Sequence, residues 1–224
     1  MQNTEKQAPE FTPHSIEVNG LRINYLDAGQ GQPVVILRDS EVPAPSSLEK
    51  LLVWEFRVLS FAIAGLDTSA GDEPPFSPQE LARELVRTAG SAERFALVTT
   101  GAGAPLALRA ALELSDQVDA LVLISPVPVF EELRGVGRDV ELAHRLAGIT
   151  APTLLLLGTE DQVIPQQTGR MYAEQLPSCY YMLVWDAGHD IEAERPETLF
   201  AAVRDFLERR ETFVVNRAST ILNP

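Results

Sequence analysis

Dense apolar runs and amphipathic stretches take turns along this chain. Six apolar runs stand out: "PVVILRD", "RVLSFAI", "RFALVTT", "VDALVLISP", "PTLLLLGTED" and "YYMLVWDAGH". They are rich in Val, Ile and Leu and lack strict alternation, the pattern of strands buried on both faces of a parallel sheet. Ahead of them, "HSIEVNGLRINYLDAG" sets two alternating stretches around Asn19-Gly20, which predicts a tight hairpin. Between most of the runs lie helical periodicities. "SPQELARELVRTAG" opens with Ser77 as N-cap, Pro78 at the first helical position and Glu80 closing a capping box. "APLALRAALELS" and "RPETLFAAVRDFLERR" are equally periodic. A hairpin followed by alternating strands and helices predicts an open α/β sheet with helices on both faces.

The remaining segments divide the chain. Residues 1–13 are polar and punctuated by proline, which predicts a loose arm before a single domain over 14–210. Residues 127–151 separate two of the apolar runs and have room for one or two short helices. They lie outside the carboxyl ends of the strands, where open α/β sheets bind ligands. Residues 211–224 read as a disordered tail, with the alternative that "TFVV" adds to a sheet edge or reaches a neighbouring subunit of a homo-oligomer.

Composition narrows the function classes. With 45% hydrophobic and 22% charged residues, 224 residues can bury one sizeable core. A formal charge of −14 argues against nucleic acid and anionic membrane as partners, because both repel an acidic surface. The single cysteine, Cys179, excludes an internal disulfide and supplies no metal-ligand spacing, so neither metal nor cofactor is expected. No apolar stretch reaches the roughly 18 residues of a membrane span, and the N-terminus has no signal-peptide core. A cytoplasmic location is the resulting expectation.

Five segments together, in order and spacing, resemble the α/β-hydrolase superfamily from about His14 to Arg210. "VNGLRINYLDAGQGQPVVIL" resembles its opening hairpin and first central strand, and "RVLSFAIAGLDTS" its next strand and loop. "FALVTTGAGAPLALRAAL" resembles the nucleophile elbow, "LLLLGTEDQVIP" the acid loop, and "WDAGHDIEAERPETLFAAVRDFL" the histidine loop with the last helix. The resemblance implies an α/β-hydrolase fold: about eight mostly parallel strands, helices on both faces and a short lid at 127–151.

The same resemblance implies a catalytic apparatus from which this chain departs. The family writes its elbow Gly-x-Ser-x-Gly, whereas this chain has Thr99-Thr100-Gly101-Ala102-Gly103. The small residues that let the turn form are kept, but Gly101 stands at the nucleophile position. Thr100 is a poor substitute, because neighbouring strand residues point to opposite faces. A dinucleotide reading of the Gly101-x-Gly103 pair fails, since the third glycine falls on Leu106 and no acid ends the next strand. The Ala102 amide at the helix start still offers an anion-binding N–H. After the first central strand the family has His-Gly, with the next amide as oxyanion donor. Here Arg38-Asp39 stand there and Ser40 would donate, with a carboxylate close to the oxyanion site unless Arg38 neutralises it. The alternative is a plain surface Arg-Asp pair. Ala62 departs likewise, where the family often has aspartate.

Two members of the triad are kept. Asp161 matches the acid, with Glu160 as the alternative, and His189 matches the base 28 residues later. His14 and His144 match nothing and read as surface residues. The leading expectation is a non-hydrolytic relative that binds a small molecule or a protein in the former active-site cleft. One alternative is an enzyme using His189–Asp161 as general base for a lyase, isomerase or water-attack reaction. Another is an ordinary hydrolase carrying an engineered Ser-to-Gly exchange, which the second alteration at Arg38-Asp39 weakens.

Overall fold

In the computed structural model the described residues are 8–40, 44–63, 94–130, 139–213 and 221–222, with Glu80, Glu84 and Arg87 between them. The opening hairpin pairs β1 (Thr12–Val18) with β2 (Leu21–Ala28), antiparallel. Its two-residue turn puts Asn19 at φ 49° and Gly20 at φ 83°, the doubly left-handed turn that Asn-Gly tolerates and most pairs do not. The apolar runs become β3 (Pro33–Arg38), β4 (Arg57–Ala62), β5 (Phe95–Thr100), β6 (Val118–Ile124), β7 (Thr153–Gly158) and β8 (Cys179–Val184).

The sheet order is β1-β2-β4-β3-β5-β6-β7-β8, completed by the two-residue β9 (Ile221–Leu222). Strands β3 to β9 are all parallel, and β2 joins them antiparallel along β4. Strand order reverses between β3 and β5, so their carboxyl ends diverge and leave a crevice there.

Successive residues of the central strands enter opposite cores, which explains why the runs do not alternate. Val35, Leu37, Leu97 and Leu121 pack on one side, with α2 (Ala104–Glu113) and α4 (Gln166–Gln175). Val34, Ile36, Val98 and Val122 pack on the other, with α1 (Ser47–Leu52) and α6 (Pro196–Arg209). Two further helices are short, α3 (Val140–Arg145) and α5 (Ile191–Glu194), and Glu80, Glu84 and Arg87 are also helical. The capping box at Ser77 and Pro78 lies outside the described residues.

Two segments differ from expectation in detail. Of the described residues in 127–151, only Val127 borders the cleft; α3 instead packs against α2, tied by an Arg109–Asp139 ion pair. Leu142 and Leu146 bury themselves in the adjacent core, and residues 131–138 lie outside the described residues. In the segment read as a tail, Phe213 is buried among Tyr180 and Phe206, and Ile221–Leu222 pair with the β8 edge. The edge pairing is thus seen at "IL", while Val214 and Val215 of "TFVV" lie outside the described residues.

Candidate functional site

The crevice at the carboxyl ends holds a cavity of about 660 Å³. Its wall includes Arg38 and Asp39 at the end of β3, Gly101 and Ala102 after β5, Ser125 after β6, and His189 after β8. An apolar lining comes from Ile124, Val127, Val163, Ile164 and Ile191.

The turn after β5 forms as expected. Thr100 is extended, one 3-10 turn spans Gly101–Gly103, and α2 follows with Pro105 in its first turn. Gly103 lets strand and helix approach, since a Cβ there would lie 2.2 Å from Thr99 Oγ1. Gly101 has φ +50°, the left-handed conformation of a strand-to-helix elbow, yet an added Cβ would meet nothing within 4 Å. The turn therefore leaves open space where a side chain would stand. Thr99 is sealed in the core with its hydroxyl donating to the Leu37 carbonyl at 3.2 Å. Thr100, expected to face away, borders the cavity.

Asp161 and His189 meet across two strand ends. Asp161 Oδ1 accepts the amides of Val163 (2.7 Å) and Ile164 (2.8 Å), which orients the carboxylate. Its Oδ2 lies 3.1 Å from His189 Nδ1. The Asp161 side chain is fully buried, whereas that of His189 is 39% exposed, so the ring is held from inside and open outside. Glu160 is exposed and takes no part in the pair. His14 and His144 are exposed, as expected. Gly158 makes the crossing possible: a Cβ there would sit 2.1 Å from the Ala187 carbonyl oxygen and 2.3 Å from that of Gly188.

The segment after β3 differs from its expected role. The Ser40 amide donates at 2.8 Å to the Arg38 carbonyl, which also accepts from the Ile63 amide at 2.8 Å. Ser40 does not border the cavity, so the expected oxyanion donor is turned into a local turn bond. Asp39 is exposed at the cavity rim, and no ion pair joins it to Arg38 among the described residues. The Arg38 guanidinium instead donates to the Ala44 carbonyl and lies 3.7 Å from Glu49 Oε2.

Glu49 is a residue that sequence reasoning missed, although Ser46-Ser47-Leu48-Glu49 spells a capping box. Its carboxylate is fully buried, accepts from Ser60 Oγ at 2.7 Å and from the Ser46 amide at 2.9 Å. Burial pushes its pKa up, while the Ser60 and Ser46 hydrogen bonds and Arg38 work against that rise. Glu192 was missed too. It accepts the Leu48 amide at 2.7 Å and so ties the start of α1 to the histidine loop across the cavity.

Among the described residues no group of three or more His, Cys, Asp or Glu could hold a metal ion. None of their helices is long and apolar enough to cross a membrane.

A carbazole-degradation serine hydrolase superposes with a TM-score of 0.73 over 90% of this chain and 100% of its own, at 17% identity. A carboxylesterase of Bacillus subtilis superposes with a TM-score of 0.70 over 88% and 92%, also at 17% identity. The chain has the α/β-hydrolase fold. By sequence, it is similar to a 2-hydroxy-6-oxo-6-(2'-aminophenyl)hexa-2,4-dienoic acid hydrolase of Metapseudomonas resinovorans, 20% identical over 93% of this chain and 95% of that one. An uncharacterized hydrolase of Bacillus subtilis (strain 168) is 30% identical over 29% of this chain and 24% of its own. No protein-family model matches. Within the α/β-hydrolase fold, Gly101 stands at the elbow turn after β5, and Asp161 and His189 stand after β7 and β8.

Proposed function

We propose that this protein binds a small neutral or cationic molecule in its cleft and forms no acyl-enzyme. The observation that carries this reading is Gly101, whose turn faces the cavity with open space in place of a nucleophile. Engagement of the Ser40 amide by Arg38 supports it, since acyl transfer needs donors aimed at the developing oxyanion.

The sign of the ligand follows from the rim. Asp39, Asp190 and Glu192 line it with carboxylates, and Arg38, the arginine among the described lining residues, is engaged by the Ala44 carbonyl and buried Glu49. Like charges about 4 Å apart near a protein surface repel by on the order of 4 kcal/mol. The acid named for the Metapseudomonas relative would bring an anion to this rim.

A second reading rests on the 3.1 Å Asp161–His189 contact, which suits a general base acting without a covalent intermediate. Thermal-shift screening against matched neutral, amine and carboxylate compounds tests both. A ligand at 100 times its Kd adds about 2.7 kcal/mol of stability, and hits should come from the neutral and amine sets. Hits are then followed by mass spectrometry with wild type and His189→Asn. Stabilisation without conversion supports the binding reading; conversion that disappears in His189→Asn replaces it with the enzyme.

A further inference from the structure

Four non-glycine residues among those described have left-handed backbone: Asn19, Ser125, Asp186 and Arg210. Only Ser125, at φ +45°, borders the cavity. An L side chain avoids this conformation unless its surroundings over-determine it, and such residues gather at functional sites. Glycine would meet the same backbone requirement without strain. What serine adds is a hydroxyl.

That hydroxyl is committed. Ser125 is 3% exposed, its amide donates to the Leu156 carbonyl of β7 at 2.9 Å, and its Oγ donates to the His189 carbonyl at 3.0 Å. The first bond fixes Ser125 to the acid-bearing strand. The second reaches 64 residues along the chain to the main chain of the base. Asp161 then holds the ring of that same residue. The ends of β6, β7 and β8 are thereby joined by contacts that meet at His189.

We propose that Ser125 is a positioning residue, whose hydroxyl anchors the His189 main chain so that its imidazole meets Asp161. Other tethers of the loop lie on either side. The Asp186 amide donates to Thr159 Oγ1 at 2.9 Å and the Gly188 amide to Glu194 Oε2 at 2.8 Å. The Ser125 bond is the tether at His189 itself. Without it the carbonyl turns to solvent, the loop pivots, and the ring drifts from the buried carboxylate. The inference rests on the cleft being the functional site, and it adds the group that sets the geometry of its acid–base pair.

The test uses Ser125→Gly, which keeps the left-handed backbone and removes the hydroxyl, and Ser125→Asn, which tolerates that backbone and restores a donor. The readout is the downfield proton resonance of His189 Nδ1–H, assigned by its loss in His189→Asn, and its exchange rate with water. Exchange should quicken about tenfold in Ser125→Gly, the scale of one lost hydrogen bond, and return towards wild type in Ser125→Asn. Thermal unfolding of Ser125→Gly monitors the fold. Where the resonance is too broad, amide exchange across residues 185–190 by mass spectrometry reads the same tether with the same expectations. Unchanged exchange in a folded Ser125→Gly overturns the proposal. So does a folded Ser125→Asn that exchanges as fast as Ser125→Gly, or fluorophosphonate labelling of Ser125, which would make its hydroxyl a nucleophile. All readings are made without ligand, so a negative result removes the role of Ser125 and leaves the binding reading to its thermal-shift test.

Discussion

Replacing Gly101 by serine puts a hydroxyl at the elbow, and the structure says what it would and would not restore. Sterically the site is free, since an added Cβ meets nothing within 4 Å. The backbone is the obstacle: at φ +50° an L residue is disfavoured by about 1–2 kcal/mol. For a domain of this size that lowers Tm by roughly 2–8 °C. Chemically, one oxyanion donor remains at Ala102 while the Ser40 amide stays bonded to Arg38 at 2.8 Å. Losing one such donor lowers turnover about 100- to 1,000-fold. Gly101→Ser should therefore hydrolyse p-nitrophenyl acetate only marginally faster than wild type. Combining it with Arg38→His and Asp39→Gly, which relaxes the turn that holds Ser40, should raise the rate at least about tenfold over the single variant. The assay is initial rate against ester concentration, with fluorophosphonate labelling as an active-site count. If the single variant labels fully and matches the triple one, the turn after β3 has been misjudged.

Two other outcomes follow from packing and charge. Gly158→Ala drives a Cβ into two backbone carbonyls of the histidine loop, which cannot rotate away; ligand binding should be lost, with a stability loss of about 1–3 kcal/mol in urea melts, and wild-type stability would refute the close approach. Burial raises the Glu49 carboxyl above its usual range, so the folded protein keeps that proton to higher pH than the unfolded chain. Its contribution to stability is fully present below the unfolded pKa and is lost as pH rises through the folded one. Glu49→Gln should therefore show a flatter stability profile than wild type from about pH 4 upward, and parallel profiles would show that Glu49 titrates normally.

Much of the fold was legible because its signals are local. Short non-alternating Val, Ile and Leu runs between helical stretches read as strands covered on both sides, and the two cores on either face of the sheet satisfy that requirement. Asn19-Gly20 specifies its turn by backbone tolerance alone. The site was legible in part for the same reason. Gly101, Asp161 and His189 each end or follow a strand, and parallel strands in register bring their carboxyl ends to one side.

The sequence by itself determined the strands, the turn with its glycine and the positions of Asp161 and His189 after their strands, since each depends on residue type and short-range spacing. Only the tertiary structure decided where the polar groups of the cleft are directed. That the Ser40 amide bonds to Arg38, that Arg38 turns to Glu49 and not to Asp39, and that Ser125 holds His189 are outcomes of packing. Buried donors and acceptors must find partners, and which partners lie within reach is set by elements up to 144 residues apart in the chain, as Leu48 and Glu192 are. No local pattern encodes such a distance.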